Sequence, residues 1–176
     1  MPLRDGLSFA HNALRGVGLR DKVRLGASGK ITSGFDMARV MALGADWCNS
    51  ARGFMFAVGC IQAQSCHTGA CPTGVATQDP ARGRAIDVTG KSDRVTSYHR
   101  NTLIALSELV AAAGVPHPRD LHGGHFLQRS SADKVVELDQ IYPQIQSGEL
   151  LGSHDISSVF GAAFAAASAQ TFARQG

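Results

Sequence analysis

Three cysteines that lie close together constrain this chain more than any other sequence feature. Cys60, Cys66 and Cys71 form a C-x5-C-x4-C run within residues 59–78, and Pro72 follows the last thiol directly. Glycines and a proline interrupt the run, which favours a loop over a regular helix or strand. Thiolates so near one another in sequence can converge on one soft metal centre. Three ligands suit a three-iron cluster, and we expect the three sulfur atoms to face one common volume.

The cysteine spacing leaves three other interpretations open. A disulfide with one spare thiol needs an oxidising compartment, whereas the first residues, MPLRD, do not open a signal peptide. Structural zinc needs a fourth ligand, which His67 or Cys48 could supply, although the C-x2-C spacing typical of zinc sites is missing. The third alternative is that the thiols are buried side chains without any ligand.

The residues before the cysteines alternate between helical and extended patterns. Apolar residues recur at helical spacing in the first of these stretches, and Gly18 and Gly44 follow two of the helical stretches as stop signals. This alternation of strand, loop and helix favours parallel βα units. The predicted elements are a helix over 4–17, a strand over 22–27, a helix over 35–43, a strand over 45–50 and a helix over 54–61.

Size and charge exclude several classes of protein. The chain has 176 residues, enough for one ordinary domain, whereas a (β/α)8 barrel takes roughly 250. Its net charge is +3 with scattered basic residues, so no nucleic-acid partner is implied. No apolar run reaches the roughly 18 residues of a spanning helix. Four cysteines in a chain without export features favour a cytoplasmic location.

The cysteine segment resembles the cluster segment in the FMN-binding domain of glutamate synthase. The likeness rests on GC at 59–60, CHT at 66–68 and CPTGVATQ at 71–78, and it continues upstream through residues 22–58. The whole chain is most similar to the shorter FMN-binding glutamate synthase family proteins, over about residues 1–150. The cysteine spacing with its CP-x-GVATQ tail is the specific part of this resemblance.

The resemblance implies a fold, two cofactors and a reaction. In that family the matching cysteines hold a [3Fe-4S] cluster beside the FMN of a (β/α)8 barrel, and the cluster exchanges electrons with an external donor protein or domain. Glutamate synthases reduce the imine formed from 2-oxoglutarate and ammonia, the ammonia being derived from glutamine, to give glutamate. The expected class is therefore an oxidoreductase of glutamate biosynthesis, with a small-molecule substrate.

The resemblance also indicates where the flavin phosphate would bind. In flavin barrels the phosphate commonly lies between the loops after strands seven and eight, where small residues let backbone N–H groups close on the anion. Residues 22–27 would be strand seven and residues 45–50 strand eight. Arg52 would add a planar guanidinium fork for phosphate oxygens. The candidate phosphate-binding residues are Ser28, Gly29, Ala51, Arg52 and Gly53.

The second half of the chain predicts helices. Ser92 is the expected N-cap of a long helix that runs to about residue 113, and Ser131 is the expected cap of a helix over 132–142. A helical turn over 116–121 and a last helix over 156–174 complete the expected elements. We therefore expect residues 1–80 to be the last part of the FMN-binding barrel and residues 81–176 to be a C-terminal helical extension.

A fragment with only two βα units should not close into a barrel by itself, because its strand edges and apolar helix faces lack partners. Three interpretations follow. The chain is the C-terminal part of a glutamate-synthase-like flavoenzyme whose missing units come from the same gene or from a partner chain. Alternatively, it is a free-standing iron–sulfur electron carrier that has lost the flavin, or an inactive truncated remnant.

Overall fold

The computed structural model describes residues 1–152 and 158–173 and shows a small, mostly helical α/β protein with two short two-stranded sheets. No barrel is present in the described part of the chain, and no helix there is long and apolar enough to cross a membrane. The helices are α1 (Leu3–Gly16), α2 (Gly34–Ala42), α3 (Arg52–Val58), α4 (Pro80–Arg84), α5 (Val88–Ala112), α6 (Leu138–Ile141) and α7 (Val159–Ala165). The strands are β1 (Gly26–Ser28), β2 (Trp47–Asn49), β3 (Leu127–Arg129) and β4 (Val135–Glu137).

The described chain divides into two compact units. The first contains Met1–Ala27, Arg39–Trp47 and His117–Gly176, apart from the residues outside the described ranges, and the second contains Ser28–Ala38 and Cys48–Pro116. In the first unit, α1 contacts α7, and Phe9 stacks on Phe160 with ring centroids 5.7 Å apart. In the second unit, α3 packs against α5. The cysteine run belongs entirely to the second unit.

The predicted alternation in the first 61 residues is confirmed in its order. The structure has helix, strand, helix, strand and helix there, and β1 pairs with β2. The strands are shorter than predicted, three residues each. Helix α3 ends where Gly59 adopts a left-handed conformation with φ of 113° and donates its N–H to the carbonyls of Met55 and Phe56. Glycine is the residue best suited to this conformation, so the helix stops directly before Cys60.

Two expectations for the second half are wrong. Helix α5 begins at Val88 rather than near Ser92, because the Asp87 carboxylate accepts the N–H of Gly90 at 3.1 Å and caps the helix. Part of the predicted helix over 132–142 is instead the antiparallel strand β4, in which Val136 lies opposite Gln128 of β3. Adjacent β-branched valines favour a strand, and only α6 at the end of this stretch is helical.

The remaining predictions for the second half are partly confirmed. A short 3-10 helix at Pro118–Asp120 matches the predicted turn over 116–121. The predicted last helix appears as the shorter α7. Residues 153–157 and 174–176, which include both ends of that prediction, lie outside the described residues.

Candidate functional site

The loops that follow β1 and β2 are joined by side-chain hydrogen bonds within the second unit. Ser50, directly after β2, donates its hydroxyl to the carbonyl of Ile31 in the loop after β1, at 2.7 Å. Tyr98 of α5 donates its hydroxyl to the carbonyl of Thr32 at 2.9 Å, and its oxygen lies 3.0 Å from Ser50 Oγ. Two loops that are distant in sequence are thus fixed against each other by groups of this chain alone.

All five predicted phosphate-binding residues lie on these joined loops. Ser28 ends β1, and Gly29 follows it with φ of 146°, a backbone conformation that L side chains rarely adopt. Ala51 precedes α3, Arg52 is the first residue of α3, and Gly53 is the second. Ser28, Gly29, Ala51 and Arg52 are exposed to solvent, whereas Gly53 is buried.

The chemistry of the exposed groups fits a phosphate. The first N–H groups of a helix have no acceptor within that helix, which is the case at the start of α3. Arg52 forms no salt bridge with any acidic group in the described part of the chain. A guanidinium fork and free backbone N–H groups next to a glycine loop are suited to phosphate oxygens.

Gly53 has a packing role that the sequence did not indicate. A Cβ placed on Gly53 would overlap the hydroxyl of Tyr98 and would lie 2.8 Å from Ser50 Oγ. The ring of Tyr98 meets Phe54 edge to face with centroids 5.0 Å apart. Glycine at position 53 therefore lets α3 approach α5 closely. In the sequence, the hydroxyl that Tyr98 places on an otherwise apolar face of the long second-half helix is the available signal of this role.

The three candidate metal ligands lie in separate local structures of the second unit. Cys60 directly follows the end of α3, Cys66 opens the 3-10 turn Cys66–Thr68, and Cys71 begins the next loop. Cys60 is half-buried, Cys66 is exposed and Cys71 is buried. Among the described residues, no group of three or more His, Cys, Asp or Glu side chains is arranged to hold a metal ion. The expected common volume for the three sulfurs is therefore not formed in this structure.

The surroundings of Cys71 nevertheless fit a metal ligand. Its sulfur lies 3.5 Å from the hydroxyl oxygen of Thr73. A hydrogen bond with that hydroxyl, and further ones from the backbone N–H groups of Ala76, Thr73 and Val75, lower the pKa of the Cys71 thiol to about 7. The thiolate is the form that binds iron, and N–H groups directed at cluster sulfurs tune cluster potentials. The donor chemistry at Cys71 thus suits an iron–sulfur cluster.

The fourth cysteine, Cys48, bears on the disulfide and zinc interpretations of the cysteine segment. All four cysteines are free, so the structure contains no disulfide. Burial raises the pKa of Cys48 to about 11, and this thiol lines a cavity of about 120 Å³ together with Phe54 and Tyr98. Cys48 is thus partly buried beside aromatic side chains, in a cavity that contains none of the other thiols. His67, the other candidate for a fourth zinc ligand, is exposed.

Comparison with known proteins defines the class. Residues 1–116 match the family model described as the conserved region in glutamate synthase. This match includes both joined loops and all three cysteines of the 59–78 segment. The chain belongs to the glutamate synthase family.

Individual relatives agree with this assignment. The chain is 38% identical over 147 residues to the glutamate synthase large subunit-like protein YerD of Bacillus subtilis, which covers 84% of this chain and 28% of that protein. It is 30% identical over 138 residues to the archaeal-type glutamate synthase [NADPH] of Dehalococcoides mccartyi, covering 78% of this chain and 28% of that enzyme. It is also 41% identical over 90 residues to the chloroplastic ferredoxin-dependent glutamate synthase of Oryza sativa subsp. japonica, covering 51% of this chain and 6% of that enzyme.

Proposed function

We propose that this chain is the cluster-bearing and phosphate-binding C-terminal part of a glutamate-synthase-type flavoenzyme. In this proposal residues 1–80 supply the last two βα units of a (β/α)8 barrel, and residues 81–176 form a C-terminal helical extension. The other βα units come from the rest of the same polypeptide or from a partner chain. The chain spans 28% of the length of two of the relatives it matches, which leaves room for such units in the parent enzyme.

The observation that carries the proposal is the family match over residues 1–116, because it includes every candidate ligand. Within that stretch the structure adds two features consistent with the assignment. The loops of the phosphate candidates are joined by Ser50 and Tyr98, and Cys71 sits among hydrogen-bond donors that favour its thiolate.

Each group of residues has a distinct part in this proposal. Cys60, Cys66 and Cys71 would hold a [3Fe-4S] cluster, and the loops containing Ser28–Gly29 and residues 51–53 would bind the phosphate of FMN. Bound flavin and cluster supply one- and two-electron chemistry, while the protein fixes their positions and tunes their potentials. The joined loops keep the anion-binding groups at a fixed spacing before any ligand arrives.

The proposed reaction follows from the family. The parent enzyme would reduce the imine of 2-oxoglutarate and ammonia to glutamate, with electrons from a donor protein or domain. A free-standing electron carrier with the same cluster but without flavin is the alternative, and it predicts a chain that takes up iron and sulfide but no FMN.

The proposal is tested by anaerobic reconstitution of the 176-residue chain with ferric iron, sulfide and FMN, followed by iron, sulfide and flavin analysis. Cys71→Ala should abolish retention of iron and sulfide. The matched control Cys48→Ala should retain both, because Cys48 lies in a cavity without the other thiols. Equal metal content in the two variants, or no metal in the wild-type chain, would contradict the cluster assignment.

A further inference from the structure

The first unit contains a cavity of about 440 Å³ that the proposed flavin and cluster chemistry does not use. This volume is in the range of small-molecule sites, roughly 300–1,000 Å³. Four arginines line it, and they come from three parts of the chain: Arg15, Arg20, Arg24 and Arg119. Three aspartates, Asp21, Asp46 and Asp120, also line the cavity, so the arginines exceed the acidic groups by one.

Arg20 makes four hydrogen bonds to other groups of the first unit. Its guanidinium donates to His11 Nδ1 at 3.0 Å, to the carbonyls of Val23 at 2.8 Å and Gly44 at 2.7 Å, and to Asp46 Oδ2 at 2.8 Å. Burial, followed by the charges of Arg20 and Arg15, lowers the pKa of His11 to about 4. The imidazole is therefore neutral at pH 7, and the charge of the cavity wall comes from the arginines.

Asp46 does not neutralise the remaining arginines. Its Oδ2 is already shared by Arg20 and by the N–H of Leu25 at 2.8 Å. Its Oδ1 lies 3.4 Å from Arg24 and 4.0 Å from Arg119, both longer than a strong charge-assisted hydrogen bond. A single carboxylate thus faces three guanidinium groups, and among the described residues Arg24 and Arg119 have no other acidic partner.

Arg15 has no acceptor in the described part of the chain. Its Nε is buried without a hydrogen-bond partner, and neither Asp21 nor Asp120 forms a salt bridge with it in the described residues. A partly buried cation with unused donors is costly, because the hydration that it loses is not replaced by hydrogen bonds.

We propose that this cavity binds a small anion through a phosphate or carboxylate group, with Arg15, Arg24 and Arg119 as the principal ligands. The guanidinium fork matches both groups in geometry, and the excess of arginine favours a negative ligand. Arg20 and Asp46 hold the wall in shape and are not ligands. This site is independent of the flavin and the cluster, which the proposal places in the second unit.

The test is calorimetric titration of the full chain with inorganic phosphate and, separately, with succinate, at constant ionic strength set by sodium chloride. The wild-type chain should bind at least one probe saturably at one site, and the preferred probe identifies the class of anion. Arg15→Gln should weaken that binding about tenfold or more, because it removes a hydrogen-bonded charge. Arg24→Gln, at a more exposed position, should weaken it less.

The matched control is Arg100→Gln on α5, an exposed arginine of the second unit that makes the same change in net charge. It should leave the affinity unchanged. Circular dichroism checks that each variant is folded, and Arg15→Lys keeps the charge without the fork, so it should bind with intermediate affinity. No saturable binding of either probe by the wild-type chain, or equal affinities in Arg15→Gln and Arg100→Gln, would overturn the proposal.

Discussion

The joined loops and the cysteine segment belong to the same unit but are organised differently. The loops after β1 and β2 are fixed by side chains far apart in sequence, with Ser50 bonded to Ile31 and Tyr98 bonded to Thr32. The cysteine segment is held mainly by bonds within itself, such as Thr77 Oγ1 to the carbonyl of Gly69 at 2.9 Å. The relative position of the two loops is therefore fixed by side chains of this chain, without a ligand.

Positive φ values at residues other than glycine occur in both regions. Gln62 and Gln64, between the first two thiols, have φ values of 58° and 55°, and Lys30, in the loop after β1, has a φ value of 54°. Backbone strain therefore does not separate the two regions, whereas the side-chain bonds between distant residues do. Metal ligands commonly reach their final positions only when the metal binds. We infer that the segment takes its final arrangement with a cluster and the loops do not need one.

The largest expected difference is in thiol reactivity. Burial raises the pKa of Cys48 to about 11, so at pH 8 only about one thiol in a thousand is ionised. Cys66 is exposed. Without metal, Cys66 should react with iodoacetamide at least about 100-fold faster than Cys48, measured by timed labelling and peptide mass spectrometry. In urea the two rates should converge. Equal rates in the folded chain would contradict the predicted difference between Cys66 and Cys48.

The second prediction concerns the close contact of α3 with α5. Gly53→Ala should lower the free energy of unfolding by about 2 kcal/mol, because the new methyl group meets the Tyr98 hydroxyl. The matched control is Gly83→Ala in α4, where the nearest atom is 4.0 Å away. That change should stabilise the chain by up to about 1 kcal/mol through helix propensity. Urea unfolding measures both, and equal effects would refute the packing role of Gly53.

Removal of the Tyr98 hydroxyl should have a somewhat smaller effect. Tyr98→Phe keeps the ring and leaves the carbonyl of Thr32 without its donor, at a cost of about 1.5 kcal/mol. Amide hydrogen exchange should become faster in residues 31–33 and 50–53 together. Thr102→Val, which loses only a bond to the carbonyl of Tyr98 in the same helix, is the control. Faster exchange in one loop alone would show that Tyr98 does not join them.

The smallest expected effect is in the metal-free cysteine segment. Cys66→Ser replaces an exposed thiol in a short turn, so the free energy of unfolding should change by no more than about 0.5 kcal/mol. The measurement is urea unfolding in the presence of a chelator. A loss above 1 kcal/mol would show that the segment is already packed through Cys66 before any metal binds.

Local patterns predicted the first half of the fold well. The helical spacing in α1 and the glycine stops after α1 and α2 reflect interactions between residues that are neighbours in sequence, whereas the predicted helix over 54–61 ran past the end of α3 at Gly59. The error at 132–142 arose because Val135 and Val136 fit an apolar helix face as well as a strand. Pairing with β3 favours the strand over the helix, and β3 lies outside the stretch 132–142 from which the helix was predicted.

The candidate residues can be chosen from the sequence alone, whereas their geometry cannot. The cysteine spacing and glycine loops are visible in the sequence, as is their resemblance to the family that the comparison confirmed. The bond between Tyr98 and Thr32 joins residues 66 positions apart, and no local pattern reports it. The four arginines around the cavity of the first unit were likewise scattered in the sequence and meet only in the folded chain.

The most direct test of the account is native mass spectrometry of the chain after anaerobic reconstitution with iron and sulfide. The account predicts a mass increase equal to three iron and four sulfide ions per chain, lost in Cys71→Ala and kept in Cys48→Ala. A chain that stays metal-free, carries a single metal ion or holds a four-iron cluster would contradict the assignment of Cys60, Cys66 and Cys71 as the three ligands.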